Sequence, residues 1–315
     1  MVGPLHVEHR RNGLVETVHP VSARVWDAGD VRLAWGPDVA SFWRSASKPF
    51  QLWASLSELE ASVVAALSDR ELAVGAASHN GEPGHVVLVQ SLLARFGLDA
   101  GALQCGAHLP SHEPTARATP TALPVHNNCS GKHTFMLAAS TARGWDPDYR
   151  ALAHPLQASV HRRIDDLAGV RHGTGVDGCS IPTFHAPLSA QARAWGALAV
   201  AMAGGDGLLG RVGWAMHHEP WFMSGTDRLD LAVVQGASEP LAAKIGAEGL
   251  FCVALPRRRV GVAVKVHTGN PDALAVAVRA VLAELGVRLD GEWPWACVRN
   301  VRGVAVGERV FVRGG

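Results

Sequence analysis

Lysine is the charged residue this chain uses least. Of its 29 lysines and arginines only four are lysine, at Lys48, Lys132, Lys244 and Lys265. Arginine keeps its proton in proteins, whereas lysine can release it and then serve as a base or a ligand. A lysine that persists in an arginine-dominated chain is a candidate for chemistry. The plainer alternative is that arginine has not happened to replace it. Tyrosine is scarcer still: Tyr149 stands alone, in an ordinary helical approach that offers no tyrosine base. Five cysteines are too few, and odd in number, for a secreted disulfide scaffold. Residues 1–11 hold no apolar core of signal-peptide length, and no later run is long enough to span a membrane without glycine, proline or charge. A formal net charge of +1 gives no general attraction to nucleic acid or anionic membrane. The expected compartment is the cytoplasm.

What is present is an ordinary globular balance, 48% hydrophobic and 18% charged, read as a single domain over 1–315. Alternation predicts a hairpin, 21–26 with 31–35, around Ala28-Gly29-Asp30. Helical periodicity covers 48–56, 59–67, 85–96, 131–141, 155–167 and 188–203. Ser68 with Glu71 reads as a capping box opening another helix to about 77. Residues 98–128, rich in proline and histidine, read as an ordered loop region near a site. Strands are predicted at 250–255, 260–266, 298–301 and 309–312, and a helix at 271–285. Sheet segments at both ends (about 1–40 and 250–315) thus enclose a helical middle, an α/β arrangement with an inserted helical subdomain.

Three of the four lysines lie in dense local motifs. Arg44-Ser45-Ala46-Ser47-Lys48-Pro49 puts Ser45 and Lys48 on one helical face, where a desolvated neutral lysine can take the serine proton. Ser-x-x-Lys by itself is a weak signal, equally at home in a capped helix start. Asn127-Asn128-Cys129-Ser130-Gly131-Lys132-His133-Thr134 ends like a phosphate loop, but His126 stands where that loop needs glycine, which excludes it. What remains is a helix start whose Cys129 and Lys132 could ligate one ion. Gly175-Val176-Asp177-Gly178-Cys179-Ser180 presents a second cysteine in a polar, glycine-bounded turn. A Cys129–Cys179 disulfide and a two-thiolate zinc site are both open, the latter better suited to a reducing compartment. Lys265 ends an apolar run, as an edge-guarding lysine also would. Ala77-Ser78-His79 closes a helix and reads equally as a capping turn. Lys244 has no serine or cysteine partner nearby in sequence and serves as the control. No Gly-x-Ser-x-Gly elbow marks a Ser-His-Asp hydrolase.

In this order, these motifs resemble the zinc-containing asparaginases of the Rhizobium etli inducible type. The matching pieces are 44–49, 77–79, 127–133, Asp177-Gly178-Cys179 and Lys265, with smaller echoes at 14–17 and 244–249. The resemblance implies a fold like that of serine β-lactamases and glutaminases, and hydrolysis of asparagine to aspartate and ammonia. It implies two Ser–Lys pairs, Ser45 with Lys48 and Ser78 with Lys265, with Ser45 the nucleophile. Zinc would be held by Cys129, Lys132 and Cys179, and Arg44, Asp177, His133 and Asn128 would line the substrate pocket. A homodimer is also implied.

The expected mechanism keeps Lys48 neutral through burial and a neighbouring Lys265. Ser45 then attacks, and Ser78 relays a proton to departing ammonia. Two other readings compete: a β-lactamase-like, penicillin-binding or glutaminase-type hydrolase of another amide, and a non-catalytic zinc or amino-acid binding protein.

Overall fold

A computed structural model describes residues 5–27, 30–205 and 207–314. The N-terminal part supplies strands β1 (Leu5–Arg11), β2 (Leu14–Asp27), β3 (Asp30–Trp35) and β4 (Ala40–Phe42). Helices α1 (Lys48–Leu56), α2 (Ala61–Ala65), α3 (Asp69–Gly75) and α4 (Pro83–Arg95) follow. Next come α5 (Glu113–Ala118), α6 (Ser130–Ala142) and α7 (Pro155–Ala168), then β5 (Gly173–Val176) and β6 (Pro182–Pro187). Helices α8 (Leu188–Gly204), α9 (Leu208–His218), α10 (Pro220–Met223) and α11 (Leu229–Gly236) complete the middle. The chain closes with β7 (Ala242–Ile245), β8 (Leu250–Leu255), β9 (Val260–Val266), α12 (Pro271–Glu284), β10 (Cys297–Arg299) and β11 (Ala305–Arg313).

Both ends of the chain meet in one eight-stranded sheet, ordered β10-β11-β1-β2-β9-β8-β7, with β3 paired to the far half of β2. All its ladders are antiparallel. The mixed α/β architecture with a helical middle is therefore as expected. A second sheet of three strands, β4-β6-β5, was not foreseen. Nor was β1. Its turn is Asn12-Gly13, both with positive φ (49° and 78°), which brings Arg11 opposite Leu14. Asn-Gly favours that hairpin turn strongly, but the polar look of the first residues hid it. The predicted turn at Ala28-Gly29 lies outside the described residues; the strands flanking it pair Asp27 with Asp30.

The sheet separates two apolar layers. Leu250, Cys252, Ala254 and Ala263 face α8 and the helical middle, while Val253, Val262 and Val264 face α11 and α12. Burial on both faces explains why β8 and β9 read as continuous apolar runs. Helix α8 lies directly on β9. A Cβ at Gly261 would run into the carbonyl of Ala192 and the backbone of Gly196. The Ser68–Glu71 capping box forms as predicted, with Ser68 N–H donating to Glu71 Oε2 at 2.7 Å.

Lys244 departs from its role as a control. It lies on the inward side of the edge strand β7, fully buried, with Nζ 3.3 Å from Oδ1 of equally buried Asp230. The covering α11 supplies that aspartate, a partner fourteen residues away that no local motif announces.

Candidate active site

The β4–β6 pairing fixes where the site begins. Trp43 N–H donates to the Phe184 carbonyl at 2.8 Å, and the chain then turns through a 3₁₀ segment, Arg44–Ser47, into α1. Arg44 carries a left-handed φ of 47°. Such a backbone costs a non-glycine residue roughly 1–3 kcal/mol and concentrates at functional sites. It is held by Arg44 N–H donating to Thr183 Oγ1 and by Ser47 Oγ donating back to the Arg44 carbonyl at 2.7 Å. Ser45 sits half-buried in this turn. Its hydroxyl makes no hydrogen bond among the described residues, so nothing there competes with a reaction partner.

One helical turn on, Lys48 is buried, and its Nζ reaches the Ala77 carbonyl, Ser78 Oγ at 2.9 Å and the Asn128 carbonyl at 3.4 Å. The two carbonyls can only accept. A neutral amine has two N–H groups for them and keeps one lone pair that can take a serine proton. Burial, then Lys132, lowers the Lys48 pKa, and the nearby Cys129 and Cys179 only partly offset this. The contact partner of Lys48 is therefore Ser78. The groups that press it towards the neutral form are the low-dielectric surroundings and Lys132, rather than Lys265.

Lys265 differs from expectation in its contacts. It is only half-buried, with Nζ directed to the Glu248 carbonyl and, at 3.4 Å, to the Val266 carbonyl; no hydrogen bond joins it to Ser78. Its register partners Ser22 and Leu250 place it near the end of β9. The sheet end thus brings Lys265 to the rim, while the helical side alone assembles Lys48 and Ser78.

Cys129 immediately precedes α6, and Lys132 lies on its first turn. That start is pressed against the end of α3, because a Cβ at Gly131 would meet the Val74 carbonyl. Lys132 Nζ lies 3.1 Å from Cys179 Sγ, and all three side chains are buried. A hydrogen bond from Cys179 draws Cys129 well below the ordinary thiol value against burial, with Lys48 and Lys132 helping, while Cys179 is pushed well above it. Burial opposes charge on Lys132, yet Cys179 and Cys129 outweigh it and raise its pKa. Two sulfurs and an amine gathered at one buried point suit zinc, provided the lysine gives up its proton on binding. Among the described residues no group of three or more His, Cys, Asp or Glu side chains is arranged to hold a metal, so Lys132 is indispensable to such a site.

Asp177 accepts from Arg44 Nε at 2.5 Å and from Gly178 N–H at 2.8 Å. Burial raises its pKa, but Lys132 and Arg44 overcome this and hold it below the usual carboxylate value. Arg44 and Asp177 thus form a charged pair beside the thiols. Asn128 borders the site through its carbonyl on Lys48 and through Oδ1, 3.1 Å from Cys129 Sγ. His133 is placed differently. It is fully buried, with Nδ1 2.8 Å from the Tyr149 hydroxyl, and burial followed by Lys132 keeps it far below the ordinary histidine pKa. Its hydrogen-bond partner is the buried Tyr149, while Lys132 and Lys48 act on it only through their charge.

Asn127 belongs to the 127–134 motif but has no role assigned to it from the sequence. Its Oδ1 accepts the Cys129 N–H at 2.9 Å while Nδ2 donates to the Cys105 and Gly106 carbonyls. An asparagine two residues before a helix-starting cysteine is the readable trace of this turn.

Residues 7–310 match the L-asparaginase II family, and the chain belongs to that family. No curated protein matches the sequence. Among solved structures it is similar to "Mglu in its native form", at 17% identity and a TM-score of 0.47. The likeness covers 86% of this chain and 66% of that one, so the chain spans just under two thirds of Mglu. A β-lactamase from Mycobacterium bovis, Mb2281c, is 16% identical with a TM-score of 0.43, over 84% of this chain and 94% of that one. At such scores neither likeness adds to the topology already described. Among the described residues, no helix is long and apolar enough to cross a membrane.

Proposed function

We propose that this chain is an L-asparaginase of the zinc-containing inducible type, an amidohydrolase working through a lysine-activated serine. The observation that carries the reading is the buried Lys48 amine, 2.9 Å from Ser78 and one helical turn after the unbonded hydroxyl of Ser45. A lysine so placed is poised as a base.

In the proposed reaction Ser45 Oγ attacks the side-chain amide carbon of asparagine while its proton passes to Lys48. Ser78, bonded to that amine, delivers the proton to the departing nitrogen, and ammonia leaves. Water then attacks the acyl-enzyme, giving its proton to Lys48, and aspartate is released with Ser45 restored. Arg44 and Asp177 hold the charged amino-acid end of the substrate. Bound zinc, held by Cys129, Lys132 and Cys179, would orient Asp177 and substrate rather than activate water, because its two thiolate ligands offset its charge. Membership of the L-asparaginase II family supports the substrate class. A cytoplasmic homodimer belongs to the same proposal.

The test is ammonia release from asparagine, glutamine and a β-lactam assayed side by side. Turnover of asparagine with the others slower by an order of magnitude or more is the expected result. Preference for glutamine or the β-lactam would replace the substrate assignment and leave the serine–lysine chemistry standing.

A further inference from the structure

The loop bearing Ser78 is tied down by the residue next to it. His79 is buried, and its Nδ1 accepts the Gly81 N–H at 3.0 Å. The ring proton must then sit on Nε2, which lies 2.9 Å from Ser130 Oγ; Ser130 in turn donates to the Val125 carbonyl at 3.0 Å. Ser130 is the first residue of α6, between Cys129 and the turn bearing Lys132. The imidazole also ends a stack. Its ring lies 5.1 Å from that of His85 at 12°, and His85 lies 4.2 Å from Trp221 at 15°. Trp221 lies in α10, whose Met223 carbonyl accepts the Ser78 N–H at 3.0 Å.

We infer that His79 is a positioning residue: as a neutral imidazole bonded at both nitrogens, it fixes the Ser78 hydroxyl relative to the start of α6 and so to the Lys48 amine. The inference rests on the hydrolase reading. Its physical basis is that a serine loop free to drift by about an ångström loses on the order of 100-fold in rate, while substrate binding, made elsewhere, is spared. No other side chain bridges Ser78's loop to Ser130 in this way among the described residues.

The experiment compares Ser130→Ala, His79→Gln and Trp221→Phe with wild type in asparagine turnover, zinc content and melting temperature. Ser130→Ala removes one end of the bridge and leaves the ring stack whole. His79→Gln keeps a donor that can reach Ser130 but loses the acceptor for Gly81. Both should lower kcat by about 10- to 100-fold with KM within about twofold and zinc unchanged. Trp221→Phe keeps a ring on His85 but loses the Nε1–H bond to Thr226 and the indole's packing on Gly84, so it should lower the melting temperature with kcat within about twofold of wild type. A Ser130→Ala enzyme with wild-type kcat, or kcat losses that track melting temperature across all three, would overturn the inference. If His79→Gln does not fold, Ser130→Ala decides. Imidazole ¹H–¹⁵N spectra provide a readout independent of turnover. His79 should be the neutral Nε2–H tautomer in wild type at neutral pH, and a cation or the Nδ1–H tautomer would refute the bridge. A wild type that releases no ammonia from asparagine counts against the proposed function, whereas the spectra judge His79 on their own.

Discussion

At the residue scale the four lysines divide by what surrounds them. Lys48 and Lys132 share one buried cluster but are pushed in opposite directions, Lys48 towards the neutral amine and Lys132 towards the cation. Substitution by arginine separates charge from chemistry, because a guanidinium cannot release its proton. Lys48→Arg should therefore be close to inactive in the ammonia assay, whereas tolerable activity would reduce Lys48 to a positive charge. Ser45→Ala should lose ~10⁴-fold or more in kcat with its fold intact, as removal of a covalent nucleophile does. Near-normal turnover there, with loss in Ser78→Ala, would hand the attack to the serine that Lys48 touches. The pH profile follows from the same amine. The proposed mechanism needs Lys48 unprotonated, so kcat/KM should rise with pH through its pKa and level off below the ordinary lysine value of about 10.4. An acid limb that climbs past that value would show that Lys48 is not the base.

At the element scale, the site depends on how closely helices approach one another and the sheet. The start of α6 can lie on α3 only because residue 131 has no side chain. Gly131→Ala must push the two apart and should cost about 1–3 kcal/mol of stability, measured by denaturant unfolding. Because Cys129 and Lys132 flank the displaced turn, zinc affinity should fall with it. The Lys244–Asp230 pair joins β7 to α11 in the same dry setting. Burial lowers the Lys244 pKa to about 8, although Asp230 opposes the shift. The native state then sheds a proton at lower pH than the unfolded chain, so stability should rise as pH goes from about 8 to the unfolded lysine value near 10.4. Lys244→Met removes that rise and leaves Asp230 buried without a cation, a loss of ~3–5 kcal/mol. An unchanged slope in the variant would assign the rise to another group.

At the scale of the whole molecule, zinc would join segments that the fold brings from separate places, the start of α6 and the turn before β6. Desalted protein should contain about one zinc per chain, and Cys129→Ser or Cys179→Ser should lose it. Chelation should lower the melting temperature, since a ligand bound only by the native state stabilises it by mass action. Fully active metal-free protein would leave a thiol pair with Lys132 as its cation.

Local order and local chemistry were legible in the chain. Continuous apolar runs marked β8 and β9, and helical periodicity marked α8 and α12, because burial acts on each residue according to its own polarity. The scarcity of lysine drew attention to Lys48, Lys132 and Lys265, of which the fold buries Lys48 and Lys132 and leaves Lys265 half-buried. Partnership across the chain was not legible. Neither the Lys48–Ser78 contact, thirty residues long, nor the turning of Lys265 to Glu248, the burial of His133 against Tyr149 or the hidden Asp230 under Lys244 is written in any local pattern. Those were decided by the packing of α1, α3 and α6 and by the cover of α11, because desolvation and hydrogen-bond distance exist only once separate segments have met.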